Sequence, residues 1–162
     1  YTSAGRIPTD RGYRFFVDEA LSQGLFQELD REDEREHEIR DYAEFVQAIS
    51  RDLAEASSSL ALVYFPQKGS LWKEGWEQVL QAPEFEGREQ IEDFTSFLGD
   101  VEKRIGSFQL ENLLEVYIGG ENPFSREKDF SIMISAYPFP KRKRWLLALV
   151  GPKRMAYQKT AR

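Results

Sequence analysis

At 162 residues, with 41% hydrophobic and 14% aromatic side chains, the chain can bury a core of its own as one domain and is too apolar for a disordered tail. It has no cysteine, which excludes disulfides, thiolate nucleophiles and Cys-rich zinc sites and fits a reducing cytoplasm. Its net charge of −6 makes a poor general surface for nucleic acid, because duplex affinity rests on Lys and Arg neutralising phosphates. Any DNA contact is therefore local, or is made by residues outside the chain.

Tyr1 to Pro8 reads as an arm, without the apolar core of a signal peptide. The opening Tyr, in place of Met, suggests a fragment or a processed product. Thr9 offers an N-cap for a helix running to about Gln23 and stopped by Gly24, with Phe15, Phe16 and Leu21 on an apolar side. Leu29 to Asp41 is a run of alternating charges, an exposed helical approach or a linker. The clearest periodicity follows: Ile39, Tyr42, Val46, Ile49, Leu53 and Ala56 advance in steps of 3 and 4, one stripe of a helix. Such a stripe packs on a sheet or pairs with its copy in a second subunit.

Ser57-Ser58-Ser59 ends that helix, and Leu60 to Phe65 is a strand closed by Pro66. Leu71 to Leu80 reads as helical, from the four-residue spacing of Trp72, Trp76 and Leu80, and Pro83-Glu84-Phe85 breaks it. A further helix is expected from Gly87 to Ile105, with Ile91, Phe94, Leu98, Val101 and Ile105 on one face. The last third is strand-like at Leu113 to Ile118, Phe130 to Tyr137 and Trp145 to Val150. Turns are expected at Gly119 to Pro123 and at Pro138 to Arg144, and Pro152 suits the first position of a terminal helix. Helices gathered ahead of strands predict an α+β domain with an antiparallel sheet covered on one face. The longest apolar run, Trp145 to Val150, is far short of the roughly 20 residues that cross a bilayer.

No constellation for catalysis emerges. His37 is the only histidine and sits in the charged run with no second imidazole or cysteine, so it reads as a solvated side chain. Glu111, Glu115 and Glu121 flank a strand and read as surface charges. Gly119-Gly120 lacks the Lys-Ser/Thr of a phosphate loop, and a tight turn needing positive φ is the simpler account. Lys141, Arg142, Lys143 and Arg144 form the one strong basic cluster. It is either a finger that contacts DNA phosphates or, as preferred, a solvated hairpin tip that discourages edge pairing. From the residues alone the expectation is a soluble α+β domain that is not an enzyme.

Several segments carry a resemblance. Tyr1-Thr2-Ser3-Ala4-Gly5-Arg6-Ile7-Pro8-Thr9-Asp10-Arg11-Gly12-Tyr13-Arg14 is similar to a TSAGR-x-PT-x-x-GYR signature. Ile118-Gly119-Gly120-Glu121-Asn122-Pro123, with the strand at Phe130-Ser131, resembles an IG-x-EN turn. Val150-Gly151-Pro152-Lys153-Arg154-Met155-Ala156-Tyr157 resembles a terminal GP-x-RM-x-Y, and Pro83-Glu84-Phe85 is a weaker match. All belong to the heat-inducible transcription repressor HrcA family, and they occur here in family order.

The resemblance implies a winged-helix DNA-binding domain followed by a GAF-like α+β domain. Residues 1–8 would then be the end of the wing and the linker, and residues 9–162 a GAF-like regulatory and dimerisation domain: an antiparallel sheet covered by helices and preceded by a linker helix. It further implies a cytoplasmic repressor of chaperone genes. As a homodimer, that repressor would bind an inverted-repeat operator and be maintained by a GroEL-type chaperonin, with no cofactor and no membrane association.

Ser3 and Arg6 would lie nearest DNA, although base readout takes several side chains from an element seated in a groove. The stripe of Ile39, Tyr42, Val46, Ile49 and Leu53 would be the seam of a two-fold dimer. Gly119, Glu121, Asn122, Gly151, Pro152, Arg154, Met155 and Tyr157 are expected to be structural. Family members carry a long insertion where only one short segment separates Phe65 from Pro83 here. The alternative function is a GAF-like small-molecule sensor or a stand-alone interaction module, with a pocket beneath the sheet.

Overall fold

A computed structural model describes residues 10, 11, 14, 18, 42–66, 68–139 and 143–155. Asp10, Arg11, Arg14 and Asp18 are helical and precede the first complete element. Helix α1 is Tyr42–Ser57, strand β1 Leu60–Phe65, β2 Ser70–Glu74, helix α2 Trp76–Leu80, helix α3 Arg88–Arg104, β3 Leu114–Ile118, β4 Phe130–Phe139 and β5 Lys143–Pro152. The strands form one sheet in the order β2-β1-β5-β4-β3, every neighbouring pair antiparallel.

The alternation of a pleated strand sends successive side chains to opposite faces, and here both faces are apolar. Leu60 and Leu62 of β1, Ile132 and Ile134 of β4, and Ala148 and Val150 of β5 join one core with Phe94, Phe97, Leu98 and Val101 of α3. Ala61, Met133, Leu149, Val116 and Ile118 face the other way and pack with Ala54 and Leu53 of α1 and with Met155. The expected α+β arrangement, an antiparallel sheet covered by helices, is the one observed, but with helices on both faces of the sheet where one was expected. The cause is α1, whose Val46, Ser50, Ala54 and Ser57 are all buried.

The main core is built from rings. Phe130 lies 5.0 Å from Phe94, 5.4 Å from Phe97 and 6.1 Å from Phe85, centroid to centroid. Tilted and offset contacts of this kind suit the ring quadrupole. On α3 the buried face is Phe94, Phe97, Leu98 and Val101, continued by Ile105, while Ile91 is 40% exposed.

Three sequence expectations change. Leu71 to Leu80 is not one helix: Ser70–Glu74 pairs with β1 and only Trp76–Leu80 is helical. Gly75 divides them at φ +101°, where a Cβ would also sit 2.8 Å from the Ser59 carbonyl oxygen. The Pro138 to Arg144 turn is shorter than expected, because β4 runs on to Phe139 and β5 starts at Lys143. Pro152 ends β5 opposite Phe130 and does not open a helix; its carbonyl accepts from Met155 N–H at 2.9 Å in the turn that follows. A proline is tolerated there because the ladder ends with it. Among the described residues, no helix is long and apolar enough to cross a membrane.

Phe94 is completely buried and touches Phe85, Phe97, Phe130 and the edge of Trp76. Phe94→Ala is expected to lower the unfolding free energy by about 3–5 kcal/mol. A urea titration followed by tryptophan fluorescence measures this, with Trp76 as the local reporter.

Candidate functional site: the leading helix on the sheet edge

The strand order leaves β3 at an edge, paired only with β4, so half of its backbone groups point away from the sheet. Val116 C=O and Ile118 N–H are two such groups, and each has a side-chain partner. Arg14 Nη2 donates to Val116 O at 2.5 Å, and Glu121 Oε2 accepts from Ile118 N–H at 3.1 Å. The two side chains also hold each other. Arg14 Nε donates to Glu121 Oε1 at 3.1 Å, and Arg14 Nη2 to Glu121 Oε2, in the two-pronged geometry at which arginine excels. Val116 O and Ile118 N–H flank Tyr117 as a residue of an adjoining parallel strand would require, one donor and one acceptor opposite. The Arg14–Glu121 pair supplies both, so an ion pair stands where another strand would lie.

Two turns bring these groups together. The chain leaves β3 through a 3-10 turn at Gly119–Glu121, which carries Glu121 back toward Ile118. Gly119 has φ +57°, and a Cβ there would run into the Asp10 carboxylate and lie 2.9 Å from Lys128 O. Buried Asn122 organises the rest of the loop. Its side-chain oxygen accepts from Phe124 and Ser125 N–H, both at 2.9 Å, and its amide donates to Glu127 O at 3.2 Å and Gly119 O at 3.4 Å. The turn after β5 contributes Lys153, whose Nζ lies 2.7 Å from Asp10 Oδ1 and 3.7 Å from Asp129 Oδ1. Arg154 pairs with Glu84 from the Pro83–Phe85 turn, and Met155 is buried in the α1-side core.

Segments far apart in the chain are thereby joined: the helical residues Asp10 and Arg14, the turn after β3 and the turn after β5. Arg14 and Glu121 are 107 positions apart. The charges are mutually satisfied. The hydrogen bond to Glu121 outweighs burial and raises the Arg14 guanidinium further above its ordinary value. Burial pushes the Glu121 carboxyl up, but the Arg14 fork and Ile118 N–H prevail and hold it below its ordinary value. The bond to Asp10 likewise raises Lys153. Chemically, the arrangement fixes a helix to a sheet edge in one orientation. Among the described residues, no group of three or more His, Asp or Glu is placed to hold a metal ion.

Gly119, Glu121, Asn122, Gly151, Pro152, Arg154 and Met155 all fall in or beside this junction, whereas Tyr157 lies outside the described residues. Glu121 and Glu115 are not free surface charges. Glu115 accepts from Glu111 and Asn112 N–H and from the Tyr117 hydroxyl at 2.6 Å; burial, with that bond, pushes the phenol up to about 12. Asp10, Arg14, Glu84 and Lys153 were not singled out as site residues from the sequence, although each lies within a motif segment. In the helical stripe, Val46 is 4% exposed and Leu53 packs on the α1-side core, so both are engaged within the monomer, while Ile49 is half-buried. Tyr42 opens α1. Ser3, Arg6, His37, Ile39, Lys141 and Arg142 lie outside the described residues, and Lys143 and Arg144 are backbone members of β5.

These features define an α+β domain with a five-stranded antiparallel sheet, to whose edge the preceding helical residues are clamped. The sequence pattern of the HrcA protein C terminal domain matches residues 14–161, and the chain belongs to that family. Among heat-inducible transcription repressors HrcA, that of Natranaerobius thermophilus is 46% identical over 70 residues, covering 41% of this chain and 20% of the relative. That of Clostridium acetobutylicum is 30% identical over 89 residues (55% and 26%), and that of Clostridium botulinum 28% over 122 residues (75% and 34%). The chain thus matches about a fifth to a third of the length of these relatives. A crystal structure described only as a hypothetical protein superposes with TM-score 0.70 over 99% of this chain and 76% of that one, at 16% identity, which is a likeness of fold.

The Arg14 and Glu121 side chains are 27% and 39% exposed, so solvent screens their pair. Arg14→Ala is accordingly expected to lower stability by about 1–2 kcal/mol. The pH dependence has a definite sign. Because the Glu121 carboxyl is held below its ordinary value of 4.5, its contribution is present above that value and is lost as pH falls through the lowered one. Glu121→Gln should therefore be less stable than the parent near neutrality and should lose less on acidification. Melting temperatures measured at neutral pH and below 4.5 check this; parallel curves would contradict it.

Proposed function

We propose that this chain is the regulatory body of a heat-inducible repressor of chaperone genes, serving to hold and orient a DNA-binding domain. The observation that supports this best is the junction itself. The motif segments shared with the repressor family converge where the leading helix meets the body, the place from which a preceding winged helix would be aimed. The body is not an enzyme in this reading; its work is binding and positioning.

The partners proposed with it are operator DNA, reached through a winged-helix domain ahead of Tyr1, a second copy of the chain, and a GroEL-type chaperonin that maintains the active state. The location is the cytoplasm. Ser3 and Arg6 lie nearest DNA in this arrangement. Lys141 to Arg144 at the β4–β5 hairpin is at most an accessory phosphate contact. A two-fold dimer suits an inverted-repeat operator. Since Val46 is buried within the single chain and Leu53 packs on the α1-side core, Ile49 is the described residue of the stripe left to join a seam along α1.

The test compares the chain alone with a form carrying a DNA-binding domain ahead of Tyr1. With its net charge of −6, the chain alone should not retard operator duplex at physiological salt, whereas the extended form should, with affinity falling steeply as salt rises. Failure of the extended form to distinguish operator from random duplex would sink the proposal. Light scattering on the chain should return twice its 18.9 kDa mass, and a monomer at high concentration would remove the dimer from it.

A further inference from the structure

The geometry points to the Arg14–Glu121 pair as a positioning latch: by imitating a strand residue on the open edge of β3, it sets the direction in which the chain preceding Asp10 leaves the body. The inference rests on the repressor reading for its consequence on DNA, but not for the latch itself.

An ordinary surface ion pair tolerates many geometries and contributes little. This pair has less freedom. Arg14 Nη2 is committed to Val116 O as well as to Glu121, and Glu121 Oε2 is committed to Ile118 N–H as well as to Arg14. Two backbone groups fixed by the β3–β4 register therefore define where the guanidinium plane sits, and with it the rotation of the helix bearing Arg14. Asp10 gives a second point of attachment one helical turn earlier. Its carboxylate lies over Gly119 and pairs with Lys153 at 2.7 Å. One attachment would leave the helix free to pivot; two about a turn apart fix its axis as well. Since both receiving turns belong to the sheet, the axis is defined relative to the body.

A latch of this kind depends on donors and acceptors in addition to charge. Lysine at position 14 keeps the cation but cannot bond both Glu121 oxygens and Val116 O from one plane. Exchanging the two charges, Arg14→Glu with Glu121→Arg, keeps an ion pair. However, it leaves Val116 O facing a carboxylate and Ile118 N–H facing a guanidinium, donor against donor and acceptor against acceptor. A plain salt bridge would survive the exchange; the latch would not.

The chain has no cysteine, so Arg11→Cys and Glu77→Cys, both exposed positions, give a unique pair of spin labels, one at the junction and one beside the opposite edge of the sheet. Double electron–electron resonance on this chain should show one narrow distance distribution. Arg14→Lys should broaden it, and the exchanged pair should broaden it as much as Arg14→Ala does. A narrow distribution in the exchanged pair would overturn the latch. In a form carrying the DNA-binding domain, Arg14→Lys should weaken operator binding by about tenfold, with random-duplex binding unchanged. Unchanged operator affinity in Arg14→Lys would overturn the positioning role. If the parent extended protein does not select operator, the repressor reading fails, and the distance measurement still decides the latch.

Discussion

An open sheet has two edges, and whatever covers them settles what else can approach. In this chain β2 forms one edge and is tied back to α3 through Lys73 and Glu102 at 2.5 Å. β3 forms the other, and it is closed by side chains instead of backbone. The unmet bonding capacity of Val116 O and Ile118 N–H is what draws Arg14 and Glu121 into place. Much of the junction's geometry then follows. Glu121 can reach back only if the chain turns within a residue or so of β3, which requires the left-handed backbone at Gly119. That turn must be held rigid, which is the work of Asn122. Asp10 can lie over Gly119 only because no Cβ stands there.

The hydrophobic cores explain why the junction can afford to be polar. The ring cluster around Phe130 and the smaller α1-side cluster bury both faces of the sheet, so cohesion does not depend on the ion pairs. Freed from that demand, the half-exposed charges act on orientation, a task for which directional bonds suit better than contact area. The loop at Asn122 belongs to both systems. Ser125 Oγ donates to Asp100 Oδ2 of α3 at 2.8 Å, Arg104 reaches Pro123 O, and Phe124 is buried in the main core. Any movement of the turn that receives Arg14 is therefore resisted by α3.

Segments with strong local signals were legible from the sequence. β1, α3 and the C-terminal end of α1 fall within a residue of the limits that periodicity and turn residues suggested, because an amphipathic stripe or an apolar run fixes its own conformation. Leu71 to Leu80 was not legible. Its tryptophan spacing fits a helix, yet pairing with β1 recruits Ser70–Glu74 into the sheet. Trp72 and Trp76 consequently lie on different elements, which no local pattern announces.

The candidate site divides the same way. The sequence by itself determined which segments carry it, since the motifs around Arg14, Glu121, Asn122 and Arg154 are short runs of unusual composition. It also determined that Gly119 turns the chain, because a Gly-Gly step after a strand demands a backbone that other residues avoid. Only the tertiary structure decided that these segments form one junction. Partners 107 positions apart cannot be read from spacing, and an arginine in a leading helix looks like any solvated cation until a sheet edge is placed beside it. The physical reason is that a salt bridge has no sequence signature of its own. It is specified by the strand order that leaves β3 unpaired, and strand order is a property of the folded whole.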